Sequence, residues 1–279
     1  MRQHQIIAFV VLAIALTACG TSQAPEQPSV ETIVAGTLQA LTAVPVEPVA
    51  TEINGTPITF SKLSLVIPQG LASSITEEKI EVSPPSEGMP WWEVYPTHVQ
   101  YPITGYNVAE ISHDPKIYVY PIAEYIAINE VIAQNVDVIK SLSNSTNQPL
   151  PENLPFLPTF NAGQMFHSNF GTVTFQNGSG IRYITAFSQF PHPIYNITMF
   201  YTFQGITDDG LYYVSAVLPI NIGFLIGYPI PTDQGDFEFI QSEVERVTEQ
   251  LNNSKPEAFS PSMLTLDAMI QSMTVTGIP

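Results

Sequence analysis

Asn196-Ile197-Thr198-Met199-Phe200-Tyr201-Thr202-Phe203, then Asp208-Asp209-Gly210, then Leu211-Tyr212-Tyr213-Val214-Ser215-Ala216-Val217-Leu218: the reading of this stretch decides the fold. In its first segment Ile197, Met199, Tyr201 and Phe203 alternate with their neighbours, which places them on one face of a strand. Asp208-Asp209-Gly210 supplies turn chemistry: short acids that bond their own backbone, then a residue free to take positive φ. The return segment puts Tyr212, Val214, Ala216 and Leu218 on one face and Leu211, Tyr213 and Val217 on the other. Both faces are apolar, so this strand is predicted to be central and covered on both sides. Residues 180–189 read as a further strand of the same antiparallel run. Asn177-Gly178-Ser179-Gly180 reads as the turn before it, since it leads into a strand and lacks the Lys of a phosphate loop.

Working outward toward the N-terminus, Leu63, Leu65 and Ile67 alternate with Lys62, Ser64 and Val66, a strand ended by Pro68-Gln69-Gly70. Short strands are predicted at 79–82, 98–101 and 116–120. Pro84, Pro85 and Pro90 make a rigid loop before Trp91-Trp92. Pro121 opens a helix whose apolar face runs through Ile122, Tyr125, Ile132, Val136 and Ile139 and fades by Leu142. Residues 144–163 read as a loop rich in Pro and Asn. Toward the C-terminus, Phe237, Ile240, Val244, Val247 and Leu251 step by 3, 4, 3 and 4, an amphipathic helix with Glu238, Glu243, Glu245 and Glu249 outward. Ser260-Pro261 reads as a cap with Pro at the first helical position, before a last helix carrying Met263, Leu266, Ile270 and Met273.

The plan is therefore α+β: an antiparallel β-sheet flanked by helices, in one domain over residues 58–279. This element order, with the closing Leu266-Asp267-Ala268-Met269-Ile270-Gln271-Ser272-Met273-Thr274-Val275, resembles the PsbP-like family. The resemblance implies an α/β/α sandwich with a late helix ending in a hydrophobic-x-x-hydrophobic-x-Ser-hydrophobic pattern, and an accessory subunit of a membrane complex. The Pro-rich inserts at 84–96 and 144–163 depart from a compact version of that fold.

Apolar residues make up 44% of the chain, enough for a folded core. Charge is sparse and one-sided, with 25 Asp and Glu against 8 Lys and Arg. Such a surface repels phosphate backbones, so no nucleic-acid partner is expected. Anionic headgroups are an equally poor electrostatic match, so any membrane contact needs a covalent anchor.

Residues 1–20 supply one. Met1-Arg2-Gln3-His4-Gln5 precedes eleven uncharged apolar residues, Ile6 to Leu16. That run is too short to span a bilayer, which takes about 20 residues, and suits a signal h-region. Leu16-Thr17-Ala18-Cys19-Gly20 follows, and it resembles the lipobox of bacterial lipoproteins. The resemblance implies a signal peptide at 1–18, cleavage before Cys19, and acyl chains such as palmitate on the new N-terminus. Gly20, where that family places Asp for inner-membrane retention, implies no such retention. Cys19 is the sole cysteine, which excludes an internal disulfide and a cysteine-based zinc site. Residues 19–57 read as a Pro-punctuated, lipid-anchored tether. Within it Val30, Ile33, Val34, Thr37, Leu38 and Leu41 recur at the spacing of a short helix.

Catalytic chemistry is hard to find in this sequence. His98, His113, His167 and His192 each stand apart, without a partner at metal-ligand spacing, and read as ordinary surface or loop residues. Asp233, Asp236 and Glu238 read as acids at a helix N-terminus rather than as cation ligands. Trp91, Trp92 and Tyr95 are candidate ligand contacts, able to stack on sugar rings or Pro-rich segments. The competing reading has the two indoles buried at the sheet edge. The expectation is a cell-envelope lipoprotein on the outer face of the cell or outer membrane, a non-catalytic binding or accessory subunit with no cofactor and no metal. The alternatives are a glycan or small-ligand binding module, and a hydrolase whose site assembles in space.

Overall fold

The computed structural model describes residues 53–109, 111–144, 149–226 and 237–277. Cys19, the signal, the tether's helical stretch and Asp233 and Asp236 lie outside these residues. Where β-branched and aromatic residues alternate, the chain is extended. The main antiparallel sheet has the strand order β3 (Ser74–Ile75), β5 (His98–Thr104), β6 (Lys116–Pro121), β10 (Tyr212–Pro219), β9 (Phe200–Thr207), β8 (Gly178–Ser188) and β7 (Gly163–Phe175). β4 (Glu78–Ile80) pairs with β5 alongside β3. A smaller sheet has the order β1 (Gly55–Thr59), β2 (Leu63–Pro68) and β13 (Thr274–Val275). β11 (Asn221–Ile222) pairs with β12 (Phe259–Ser260). The described helices are α1 (Ile122–Ile128), α2 (Val131–Asn144), α3 (Phe237–Asn252) and α4 (Met263–Gln271). The class is α+β.

β10 is central, bonded to β6 on one side and β9 on the other, and each of its faces feeds a different core. Val214, Ala216 and Leu218 meet the aliphatic residues of β2, α3 and α4. Tyr213 and Val217 meet Tyr120, Tyr125, Tyr183 and the apolar stripe of α1 and α2. The pleat sorts the same way on β6, where Ile117 and Val119 join the first core and Tyr118 and Tyr120 the second. One face of the sheet is thus mostly aliphatic and the other rich in tyrosine.

The chain differs from its sequence reading at several points. β9 starts at Phe200, because residues 196–198 form a 3-10 turn that leaves Ile197 exposed. Strand β7, thirteen residues long, has no alternating signature in the sequence, since its polar Gln164, His167, Ser168 and Asn169 blur the pattern. The helix expected after Pro121 is two helices. Asn129 takes an extended conformation between them, its N–H still donating to the Tyr125 carbonyl at 2.9 Å. Its Oδ1 then accepts from the Val131 N–H at 3.3 Å, so one residue ends α1 and starts α2. The cap of α4 is Ser262, which accepts from the Leu264 N–H. Ser260 is taken instead by β12, opposite Asn221. β1 begins at Gly55, three residues inside the stretch read as tether.

The turn Asn177-Gly178-Ser179-Gly180 is shorter than expected, and Gly180 is already paired with Gly205 in β8 and β9. A Cβ on Gly180 would sit 2.3 Å from the Gln204 carbonyl oxygen, so the two strands approach only because both positions are glycine.

Candidate functional site

The Trp91–Trp92 corner is a 3-10 turn set by Pro90. It is held by its carbonyls. Asn129 Nδ2 donates to the Trp91 carbonyl at 3.4 Å, and Thr159 Oγ1 donates to the Trp92 carbonyl at 2.7 Å. The indoles meet edge to face at 5.9 Å. Trp92 and Tyr95 are half-buried, but Trp91 is 51% exposed, which corrects the reading of both indoles as buried plugs. Backbone anchoring leaves the Trp91 ring free to face solvent.

His98 is a core residue, contrary to the surface reading. Its Nδ1 donates to the Pro96 carbonyl at 2.9 Å, which leaves Nε2 to accept from Gln100 Nε2 at 3.2 Å. Its ring lies 4.5 Å from Tyr120 and 5.2 Å from Tyr95. Burial lowers its pKa, so the imidazole is neutral. His113 stacks on Phe160 at 5.3 Å, and His192 stacks on Tyr195 and bonds the Pro193 carbonyl. The bonds and ring contacts of His98, His113 and His192 go to carbonyls, Gln100 and aromatic rings, Asp114 lies near enough to His113 to act on its charge, and His167 sits half-buried in β7. Among the described residues no group of three or more His, Cys, Asp or Glu could hold a metal ion. Asp208-Asp209-Gly210 is a turn, as read. Asp209 Oδ1 accepts from Thr207 Oγ1 at 2.6 Å and from the Leu211 N–H at 2.9 Å, bonds that hold its pKa down.

A concave feature lies elsewhere, along α3. The helical seam of α3 is seated at Val247 and Leu251, which are fully buried against the aliphatic core. Toward its N-terminus the helix passes over β7, which is bulged between Gln164 and Phe166 and again between Ser168 and Gly171. Bulges bend and twist a strand. Here a groove opens between helix and sheet, of about 540 Å³, with Met165, Phe190, Pro191, Phe237, Ile240 and Val244 in its wall. A second hollow of about 580 Å³ lies beside Glu152, His167, Thr248, Glu249 and Asn252. Val244 and Glu245 line both, so the two are neighbours along α3.

Phe190 is 64% exposed and Phe237 63%. The apolar spacing predicts Phe237 as the first core-facing residue of the helix; it stands at the groove mouth instead. Sequence reasoning missed this site because its walls come from β7, the end of β8 and α3. The available signal was the Phe237-x-Phe239 pair, which puts an aromatic residue on the polar side of an amphipathic helix.

Comparisons with protein families, curated proteins and solved structures found no match to this chain. The PsbP-like resemblance accordingly rests on element order and the closing residues 266–275 alone. No helix among the described residues is long and apolar enough to cross a membrane.

Proposed function

We propose that this chain is a cell-envelope lipoprotein, anchored through acylated Cys19 to the outer face of a membrane, whose body binds a partner rather than transforming a substrate. The observation that carries the reading is the eleven-residue apolar run closed by Leu16-Thr17-Ala18-Cys19. Two or three acyl chains make a stable anchor where one is marginal. The apolar groove beside α3 supports the binding half of the reading. An accessory subunit of a membrane complex, as the PsbP-like resemblance implies, fits the same frame.

Membrane fractionation of Cys19→Ser tests it. The variant is expected to leave the membrane fraction or to keep its signal uncut. Normal processing with unchanged membrane partitioning overturns the anchor.

One observation favours a second reading, a glycan-binding module. The Trp91 ring is half exposed on a turn whose backbone is fixed, an arrangement suited to stacking on a sugar face. Titration with a glycan panel, followed by tryptophan fluorescence, would shift the emission of Trp91 if this reading holds; an unmoved spectrum with every glycan removes it.

A further inference from the structure

We propose that the groove between α3 and β7 takes a peptide segment of a partner protein, with apolar side chains at one end and Lys or Arg at the other. The inference rests on the binding-module reading above and names the chemistry of its partner.

The groove changes character along its length. At the start of α3 its exposed surface is Phe190 and Phe237, over Met165, Ile240 and Val244. Exposed aromatic rings beside a concave wall are poor company for water and good anchors for apolar side chains. Further along α3, the neighbouring hollow carries Glu152, Glu245 and Glu249, all exposed. Burial lowers the pKa of His167, so the neutral imidazole adds no positive charge there. An occupant must therefore offer apolar surface to one end and positive charge to the other. An anionic lipid surface meets the acidic end unfavourably. A second copy of this chain is an equally poor match, since it brings 25 acidic and 8 basic side chains.

Length narrows the occupant further. α3 runs sixteen residues, or about 24 Å at 1.5 Å per residue. An extended chain covers that distance with about seven residues. The groove thus has the length of a short linear segment.

The test uses the full chain, recovered from membranes into phosphatidylcholine nanodiscs. Its probe is a fluorescent octapeptide with Phe and Leu at one end and three Lys at the other, together with the reversed sequence. Controls replace every Lys with Gln, or Phe and Leu with Ser. Saturable binding by either Lys peptide is expected, weakened at least tenfold by Phe190→Ser with Phe237→Ser, and at least fivefold by Glu245→Gln with Glu249→Gln. Both pairs are surface positions, and unchanged circular dichroism would establish that the variants are folded. Glu78→Gln with Glu124→Gln, remote acids, should leave binding unaltered.

Four results overturn the proposal: no binding by either Lys peptide; equal weakening by the remote pair, which marks non-specific charge attraction; self-association of the chain that Phe237→Ser abolishes; or binding to added vesicles in place of peptide. The anchor is judged separately. A chain recovered wholly in the soluble fraction would sink the lipoprotein reading, and the same titration on that soluble chain would still decide the groove.

Discussion

The Ser272 hydroxyl lies 2.9 Å from the Val66 amide nitrogen and 2.7 Å from the Met269 carbonyl oxygen, accepting from the first and donating to the second. One side chain therefore finishes α4 and satisfies a strand amide beyond the reach of β13, which pairs only with Leu63 and Ser64. Ser272 belongs to the closing residues that carry the PsbP-like resemblance, and this is its physical task here. Ser272→Ala leaves the Val66 N–H without its acceptor, at an expected cost of about 1–2 kcal/mol. A urea unfolding midpoint measures it, and an unshifted midpoint would show that the bond is dispensable.

Beneath α4, Tyr201 donates to Asp267 Oδ1 at 2.8 Å, and Arg182 Nε sits 3.4 Å from the same oxygen. Arg182 also donates from Nη1 to the Asn169 carbonyl. Burial raises the Asp267 pKa, although Arg182 and Tyr201 pull it down. A raised carboxyl pKa means the native state holds the proton more tightly than the unfolded chain, so acidification through that range favours the native state. Arg182→Met strips the carboxylate of its cation and should cost about 3 kcal/mol near pH 7.5. The deficit should shrink as pH falls toward 5 and Asp267 takes up its proton. Denaturant titrations at the two pH values would settle it, and a deficit that grows on acidification would contradict the assignment.

Gln204 is fully buried and engages both ends of its amide. Oε1 accepts from the Leu157 N–H at 2.9 Å and from the Tyr213 hydroxyl at 2.7 Å, while Nε2 donates to the Leu157 carbonyl at 3.1 Å. The Pro-rich segment before β7 is thereby bonded to the tyrosine-rich face of the sheet. Gln204→Leu leaves several buried groups unpaired and should cost about 3 kcal/mol or more. Gln204→Glu should be as damaging, since a carboxylate cannot donate to the Leu157 carbonyl. Limited proteolysis of either variant is expected to cut near Leu157 first, and protection equal to the parent chain would dismiss this role.

His98, His113 and His167 all have pKa values lowered by burial. Each is charged more readily in the unfolded chain than in the native one. Their neutral forms are fully compatible with the fold above the ordinary histidine pKa of about 6.5. Stability should then fall as pH drops below that value toward the lowered native ones. His98→Phe removes one such group together with two hydrogen bonds. It should be less stable than the parent by about 1–2 kcal/mol at pH 7.5, with a shallower loss between pH 6.5 and 5. Parallel acid limbs for parent and variant would show that His98 does not contribute.

Gly180→Ala should be among the costlier single-methyl additions in the chain. The added Cβ meets the Gln204 carbonyl at 2.3 Å and Gly205 Cα at 2.4 Å, backbone atoms that cannot swing aside. A loss of about 1–3 kcal/mol is expected by thermal or urea unfolding.

The sequence announced the sheet best where burial is two-sided. β10 was readable because Tyr213 and Val217 oppose Val214, Ala216 and Leu218, and each set has its own core to fill. β7 was hidden by its task. Asn169 holds φ of 50° at the second bulge and bonds Asn252 and Leu251 of α3, while Gln164 accepts from the Leu154 N–H. Polar residues placed to make such bonds break the two-residue rhythm that marks a strand. Asn129 misled in the same way, since a buried residue that both ends and starts a helix leaves the apolar spacing intact across the break. The Trp91 corner was visible as a cluster, though its exposure depended on Asn129 and Thr159, which come from distant segments. The groove was illegible because helical periodicity says which face of α3 is apolar but not how much of that face the sheet covers.

The small sheet β1-β2-β13 has a temporal consequence. Val66 and Ser272, which stitch it to α4, are 206 residues apart. A chain made or threaded from its N-terminus must hold β1 and β2 without their third strand until Ser272–Val275 have emerged. Contacts of such sequence separation close slowly and late. The hairpin of β1 and β2 is therefore the part of the body that waits longest for its partner, and Leu63, Leu65 and Ile67, fully covered at the end, are the side chains exposed to wrong associations in the interval.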